Sequence, residues 1–169
     1  MIHLVIGGAR SGKSRFAEQT ATASGKQPVY IATAQAGDDE MAKRIAHHQS
    51  RRDGSWLLVE EPLSLATVLA TEDASGRAIL VDCLTLWLNN CLHANCLEYE
   101  KRRLLEQLPT MDADVVLVIN DVGSGVVPLG ELSRRFVDES GWLQQELAVL
   151  CSRVTLVTAG LPMTLKDEL

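Results

Sequence analysis

Short aliphatic runs recur along this chain, with stretches of helical character between them. Ile2–Ile6, Pro28–Ile31, Trp56–Val59, Ala78–Val81, Val115–Ile119 and Val154–Val157 are largely apolar over four or five residues and predict buried strands. Lys13–Thr22, Asp39–Arg52, Leu63–Leu69, Leu97–Leu108 and Glu131–Cys151 predict helices, with a bend or break at Gly141. Strands that alternate with helices argue for an α/β fold built on a mostly parallel sheet with helices on both faces. A length of 169 residues suits a single domain, 1–169.

Strands in a parallel sheet end at one edge, and ligands bind in the crevice outside those ends. That edge is predicted to collect the chain's notable polar residues. Strand one runs into Gly7, Gly8, Ala9, Arg10, Ser11, Gly12, Lys13 and Ser14, which is G-x-x-x-x-G-K-[ST] between a strand and a helix. Successive backbone N–H groups in such a loop make a concave donor surface for a β-phosphate. Lys13 would reach the β/γ oxygens, and the Ser14 hydroxyl would ligate Mg²⁺. The fold class follows as a phosphate-loop NTPase domain of RecA-like type. Strand two ends in Ala32, Thr33, Ala34 and Gln35, strand three in Glu60 and Glu61, strand four in Asp82, and strand five in Asn120 and Asp121.

Two readings fit several of these residues. Asp82 is either the acid that holds Mg²⁺ through water or a cap for the segment Leu84–Asn90. Glu60 and Glu61 either meet a ribose hydroxyl or act as a base, or they are solvated residues before Pro62. The segment 120–130, with three glycines and Pro128, reads as a functional loop.

Charge and composition narrow the partners. The net charge of −6 argues against nucleic acid and anionic membrane, so any anion site must be local. No apolar run reaches membrane-spanning length, and a core strand starting at Ile2 leaves no room for a signal peptide. The ending Lys166-Asp167-Glu168-Leu169 spells a retrieval signal of the endoplasmic reticulum, read here as coincidence in a cytoplasmic protein. Cys83, Cys91, Cys96 and Cys151 lack zinc-ribbon spacing and are expected as free thiols.

Against that acidic background, residues 38–52 stand out. Acids open the segment and bases close it, as the helix dipole favours. Helical spacing aligns Lys43, His47 and Arg51, with Arg44, His48 and Arg52 beside them. Nearby cations favour a neutral, nucleophilic imidazole and stabilise charge on a phosphate oxygen. One reading is a histidine that attacks a nucleotide α-phosphate; the other is a solvated amphipathic helix.

Taken together, the phosphate loop, Tyr30-Ile31-Ala32-Thr33, Asp38-Asp39-Glu40-Met41 with Arg44-Ile45, and His47-His48 carry a family resemblance. So do Val122-Gly123, Gly125-Val126-Val127-Pro128, and Arg135-Phe136 with Asp138. The chain resembles the bifunctional adenosylcobinamide kinase/adenosylcobinamide-phosphate guanylyltransferases of cobalamin biosynthesis. The resemblance implies a homotrimer that phosphorylates adenosylcobinamide, a corrinoid, with ATP or GTP. It further implies transfer of GMP from GTP to that phosphate, giving adenosylcobinamide-GDP and pyrophosphate, through a covalent bond to His47. Nucleotide contacts implied in this way fall on Gly7–Ser14, Ala32, Thr33, Ala34, His48, Gln49, Ser50, Arg51, Glu60 and Asp82. Two departures are visible: Asp121 stands where the family has Glu, and Gln144 where it has Asn.

A small-molecule kinase that uses the phosphate loop alone is the alternative enzyme. A nucleotide switch would carry Asn-Lys-x-Asp, whereas Asn120 is followed by Asp-Val-Gly. A filament module of RecA type would carry basic DNA-binding loops, which the acidic balance disfavours.

Overall fold

The computed structural model describes residues 1–34 and 55–168. These form one seven-stranded sheet in the order β3-β2-β4-β5-β1-β6-β7. The strands are β1 (Ile2–Gly7), β2 (Gln27–Ala32), β3 (Leu57–Glu60), β4 (Arg77–Asp82), β5 (Asp114–Asn120), β6 (Arg153–Thr158) and β7 (Leu161–Asp167). The first six are parallel, and β7 returns antiparallel along β6. The helices are α1 (Lys13–Ala23), α2 (Leu65–Glu72), α3 (Leu84–His93), α4 (Leu97–Gln107) and α5 (Glu131–Leu150).

Period-two alternation sends successive side chains to opposite faces, and both faces are covered. Ile79, Val81, Val115, Leu117 and Ile119 pack with Leu65, Leu69, Trp87, Leu104, Leu143 and Leu147 from α2 to α5. Ala78, Leu80, Val116 and Val118 pack on the other face against Ala17 and Ala21 of α1. The small alanines let α1 lie close to the sheet. Trp87 is fully buried, and its indole N–H donates to the Leu63 carbonyl at 2.6 Å, so burial leaves no polar group unpaired.

The predicted strands all form, within two residues at their ends. One expectation needs correction, and one strand was not among the expectations. The helix through Gly141 is continuous from Glu131 to Leu150. Leu143 and Leu147 are buried on one side of it, and that packing outweighs the roughly 1 kcal/mol that a helical glycine costs. The strand β7 was not foreseen. It is exposed along most of its length, so it shows no buried aliphatic run.

Among the described residues no helix is long and apolar enough to cross a membrane. The four cysteines are free thiols, three buried and Cys96 half-buried. The predicted helix Asp39–Arg52 lies outside the described residues.

Candidate functional site

The phosphate loop joins β1 to α1. Among the described residues no side chain caps α1, and no acid occupies its first turn, so its leading amides face the loop. Lys13 is buried, and its ammonium donates to the Gly8 carbonyl at 3.1 Å, one of three donors it carries. Burial pulls Lys13 below the usual lysine value, opposed by the charge of Asp82 and by Cys83. Ser11 Oγ is buried with no hydrogen-bond partner among the described residues. It lies against Gly7, where an added Cβ would come within 2.5 Å of it.

The loop is held from outside by the turn between β6 and β7. Ala159 and Gly160 both have positive φ, 52° and 78°, as a two-residue hairpin of the primed type requires. The Gly160 N–H donates to the Ser11 carbonyl at 2.8 Å. Gly12 has φ 96°, and a Cβ there would come within 3.2 Å of Gly160 Cα. A Cβ at Gly12 would therefore sit in a strained backbone conformation and need the hairpin tip to give by a few tenths of an ångström. This support was absent from the expectations above. Its signal was Ala159-Gly160 between two short runs, weaker than the usual Asn-Gly.

Strand register sets the rest of the edge. Ala32 pairs with Glu60 on one side and Asp82 on the other, while Gly7 pairs with Asn120. Asp82 lies close enough to Lys13 to oppose the fall in its pKa. The Tyr30 hydroxyl donates to Asp82 Oδ2 at 3.0 Å. Thr33 clamps the ends of β2 and β4 together: its hydroxyl donates to the Cys83 carbonyl at 2.7 Å and accepts from the Cys83 amide at 3.0 Å. Asn90 donates to the carbonyls of Thr33 and Pro62, tying α3 to the same edge.

This geometry separates two of the open readings. Asp82 does not cap α3, whose N-cap is Cys83 with no side-chain cap bond. Glu61 is a structural residue: its Oε1 accepts from the amides of Leu63 and Ser64, both at 2.8 Å. Glu60 is exposed at the end of β3, on the edge beside Ala32.

Both departures from the family pattern make hydrogen bonds around the end of β5. The Asp121 amide donates to the Gly7 carbonyl at 3.0 Å, and its carboxylate accepts from the Gly123 amide and the Ser124 hydroxyl. Gln144 Nε2 reaches from α5 to the Asn120 carbonyl and the Ser140 hydroxyl. The Asn120 amide donates to Thr85 Oγ1 at 2.7 Å. Gln35, His47, His48, Gln49, Ser50 and Arg51 lie outside the described residues. A surface groove of about 890 Å³ between α4 and α5, lined by Tyr99, Lys101, Leu105 and Val149 among others, shares no residue with this edge.

Residues 3–165 match the model of a family described as cobinamide kinase / cobinamide phosphate guanyltransferase. Over 171 aligned positions the chain is 56% identical to the bifunctional adenosylcobalamin biosynthesis protein CobP of Pseudomonas aeruginosa, with 99% of each chain covered. It is 38% identical to the bifunctional adenosylcobalamin biosynthesis protein CobU of Salmonella typhimurium, covering 98% of this chain and 100% of that protein. Among solved structures, RadB recombinase superposes with a TM-score of 0.54 at 20% identity, over 92% of this chain and 73% of that one. A KaiC-like protein of Pyrococcus horikoshii gives 0.52 at 15% identity, over 92% of this chain and 69% of that one. At such identities the likeness concerns the fold alone.

Proposed function

This chain belongs to the cobinamide kinase / cobinamide phosphate guanyltransferase family, and we propose that it catalyses both reactions named in that description. The observation that carries the reading is the gathering of the phosphate loop, Thr33 and Asp82 on one sheet edge in a chain of this family. Gly7, Gly8, Ala9, Arg10, Ser11, Gly12 and Lys13 would hold the nucleotide phosphates. Ala32, Thr33, Ala34 and Glu60 would line the side of the crevice formed by β2 and β3.

Mg²⁺ would arrive with the nucleotide. The Ser14 hydroxyl and the Asp82 carboxylate are hard oxygen donors that fit it, with Tyr30 already fixing one oxygen of Asp82. Such an ion, when bound, neutralises charge on the phosphates.

In the kinase reaction the alcohol of adenosylcobinamide attacks the γ-phosphorus, and the bond to the β-phosphate oxygen breaks. Catalysis there rests on positioning and charge, which the loop amides and Lys13 supply. In the transferase reaction His47 attacks the α-phosphorus of GTP and pyrophosphate leaves. A phosphate oxygen of the phosphorylated corrinoid then attacks the GMP adduct, the phosphorus–nitrogen bond breaks, and His47 is regenerated. Two displacements replace one difficult step. His48, Gln49, Ser50 and Arg51 would contact the nucleotide beside the nucleophile. We further propose a cytoplasmic homotrimer; the exposed Leu161, Met163 and Leu165 of β7 offer apolar surface for a neighbouring subunit.

The test supplies adenosylcobinamide with γ-labelled ATP, and then adds α-labelled GTP. The expected result is γ-label on the corrinoid in the first stage, followed by α-label with release of pyrophosphate. A kinase that uses the phosphate loop alone would give only the first transfer. A nucleotide switch would give neither.

A further inference from the structure

We propose that the loop of residues 122–130 is the platform on which the corrinoid ring lies, an inference that rests on the reading of the site given above. The root of the loop is attached to the phosphate loop itself, since Asn120 pairs with Gly7 and the Asp121 amide donates to the Gly7 carbonyl. It is also held in shape. Asp121 receives Gly123 and Ser124 at one end, and Arg134 donates to the Leu129 carbonyl at the other.

What the loop presents is apolar. Val126 and Leu129 are each 97% exposed, Val127 is 68% exposed, and Leu132 just beyond is 53% exposed. A cluster of exposed aliphatic side chains marks a contact surface, and the root of this loop is bonded to the phosphate loop. Gly123 and Gly125 add an independent observation. Neither has φ in the left-handed region, and a Cβ on either would meet no atom of the described residues within 4 Å. The fold of the free chain does not require glycine at these positions. What glycine leaves there is bare backbone, open to close approach by a broad ligand.

A corrinoid has the matching chemistry. It is a wide macrocycle with methyl groups and amides at its rim, and the reacting hydroxyl or phosphate sits on a flexible arm. Aliphatic side chains meet the ring and its methyls, while the open backbone offers partners to rim amides. With the ring on this loop, an arm that reaches back to the loop's root meets the phosphate loop, where both reactions need it.

The test compares the full chain with the triple variant Val126→Ser/Val127→Ser/Leu129→Ser and with Gly125→Leu. Cobinamide binding is followed by equilibrium dialysis and its visible absorbance, GTP binding by titration, and subunit number by light scattering. Both variants are expected to lose ~10-fold or more in cobinamide affinity, with GTP affinity held within ~2-fold and subunit number unchanged. Cobinamide affinity within ~2-fold of the parent overturns the proposal. So does a loss that tracks subunit dissociation, which would assign the loop to a contact between copies, or an equal loss of GTP affinity. A parent chain that binds GTP but no cobinamide removes the reading of the site itself, and the platform with it.

Discussion

At His3 the fold encloses an imidazole where its charged form is disfavoured. The ring is almost fully buried in β1, with Nε2 2.8 Å from Thr155 Oγ1 and the Phe16 ring edge-on at 6.0 Å. Burial, helped by the Arg153 charge and opposed by Asp167, lowers its pKa from 6.5 to about 4. The unfolded chain therefore takes up a proton between those values while the folded chain does not. Stability from this group is complete above pH 6.5 and declines as pH falls through that window toward 4. The loss is on the order of 3 kcal/mol, at ~1.4 kcal/mol per unit. Urea unfolding at about pH 7 and pH 4.5 should show the parent losing more stability than His3→Gln, which keeps a polar group for Thr155 and does not titrate. Equal losses in the two proteins would refute the assignment.

At the scale of elements, the phosphate loop depends on a hairpin that binds no phosphate itself. Gly12→Ala places a Cβ against Gly160 and forces an L-residue into positive φ, which costs about 1–2 kcal/mol before any displacement of the loop. Gly160→Asn asks only for a left-handed residue that Asn tolerates, and a Cβ there meets no atom of the described residues within 4 Å. Gly12→Ala should weaken GTP binding by ~10-fold or more and lower Tm, while Gly160→Asn stays within about 3-fold of the parent. Thermal melts and GTP titrations decide this, and parental affinity in Gly12→Ala would contradict it. The contrast also explains what sequence pattern conveys. Buried strands such as Ala78–Val81 announce themselves because both faces are covered. An exposed strand such as β7 is held by its turn and its pairing with β6, and neither leaves an aliphatic run.

Across the whole molecule, the sheet edge was legible because parallel topology forces strand ends together, whatever their sequence. Lys13, Thr33, Asp82 and Asn120 were placed by that rule. Which groups those residues hold was not legible: Glu60 and Glu61 look alike in sequence, yet Glu61 is engaged by the Leu63 and Ser64 amides. Nor does spacing alone reveal that Gln144 reaches the Asn120 carbonyl at the end of β5, since 24 residues separate the two. We propose that His47 turns this phosphate-binding edge into a transferase. Its most direct test incubates the chain with α-labelled GTP and Mg²⁺, denatures it, and measures protein-bound label. The expected label survives alkali, is released by acid, and is absent from His47→Ala although that variant still binds GTP. Label retained in His47→Ala, label on His48, or none while corrinoid product forms would contradict it.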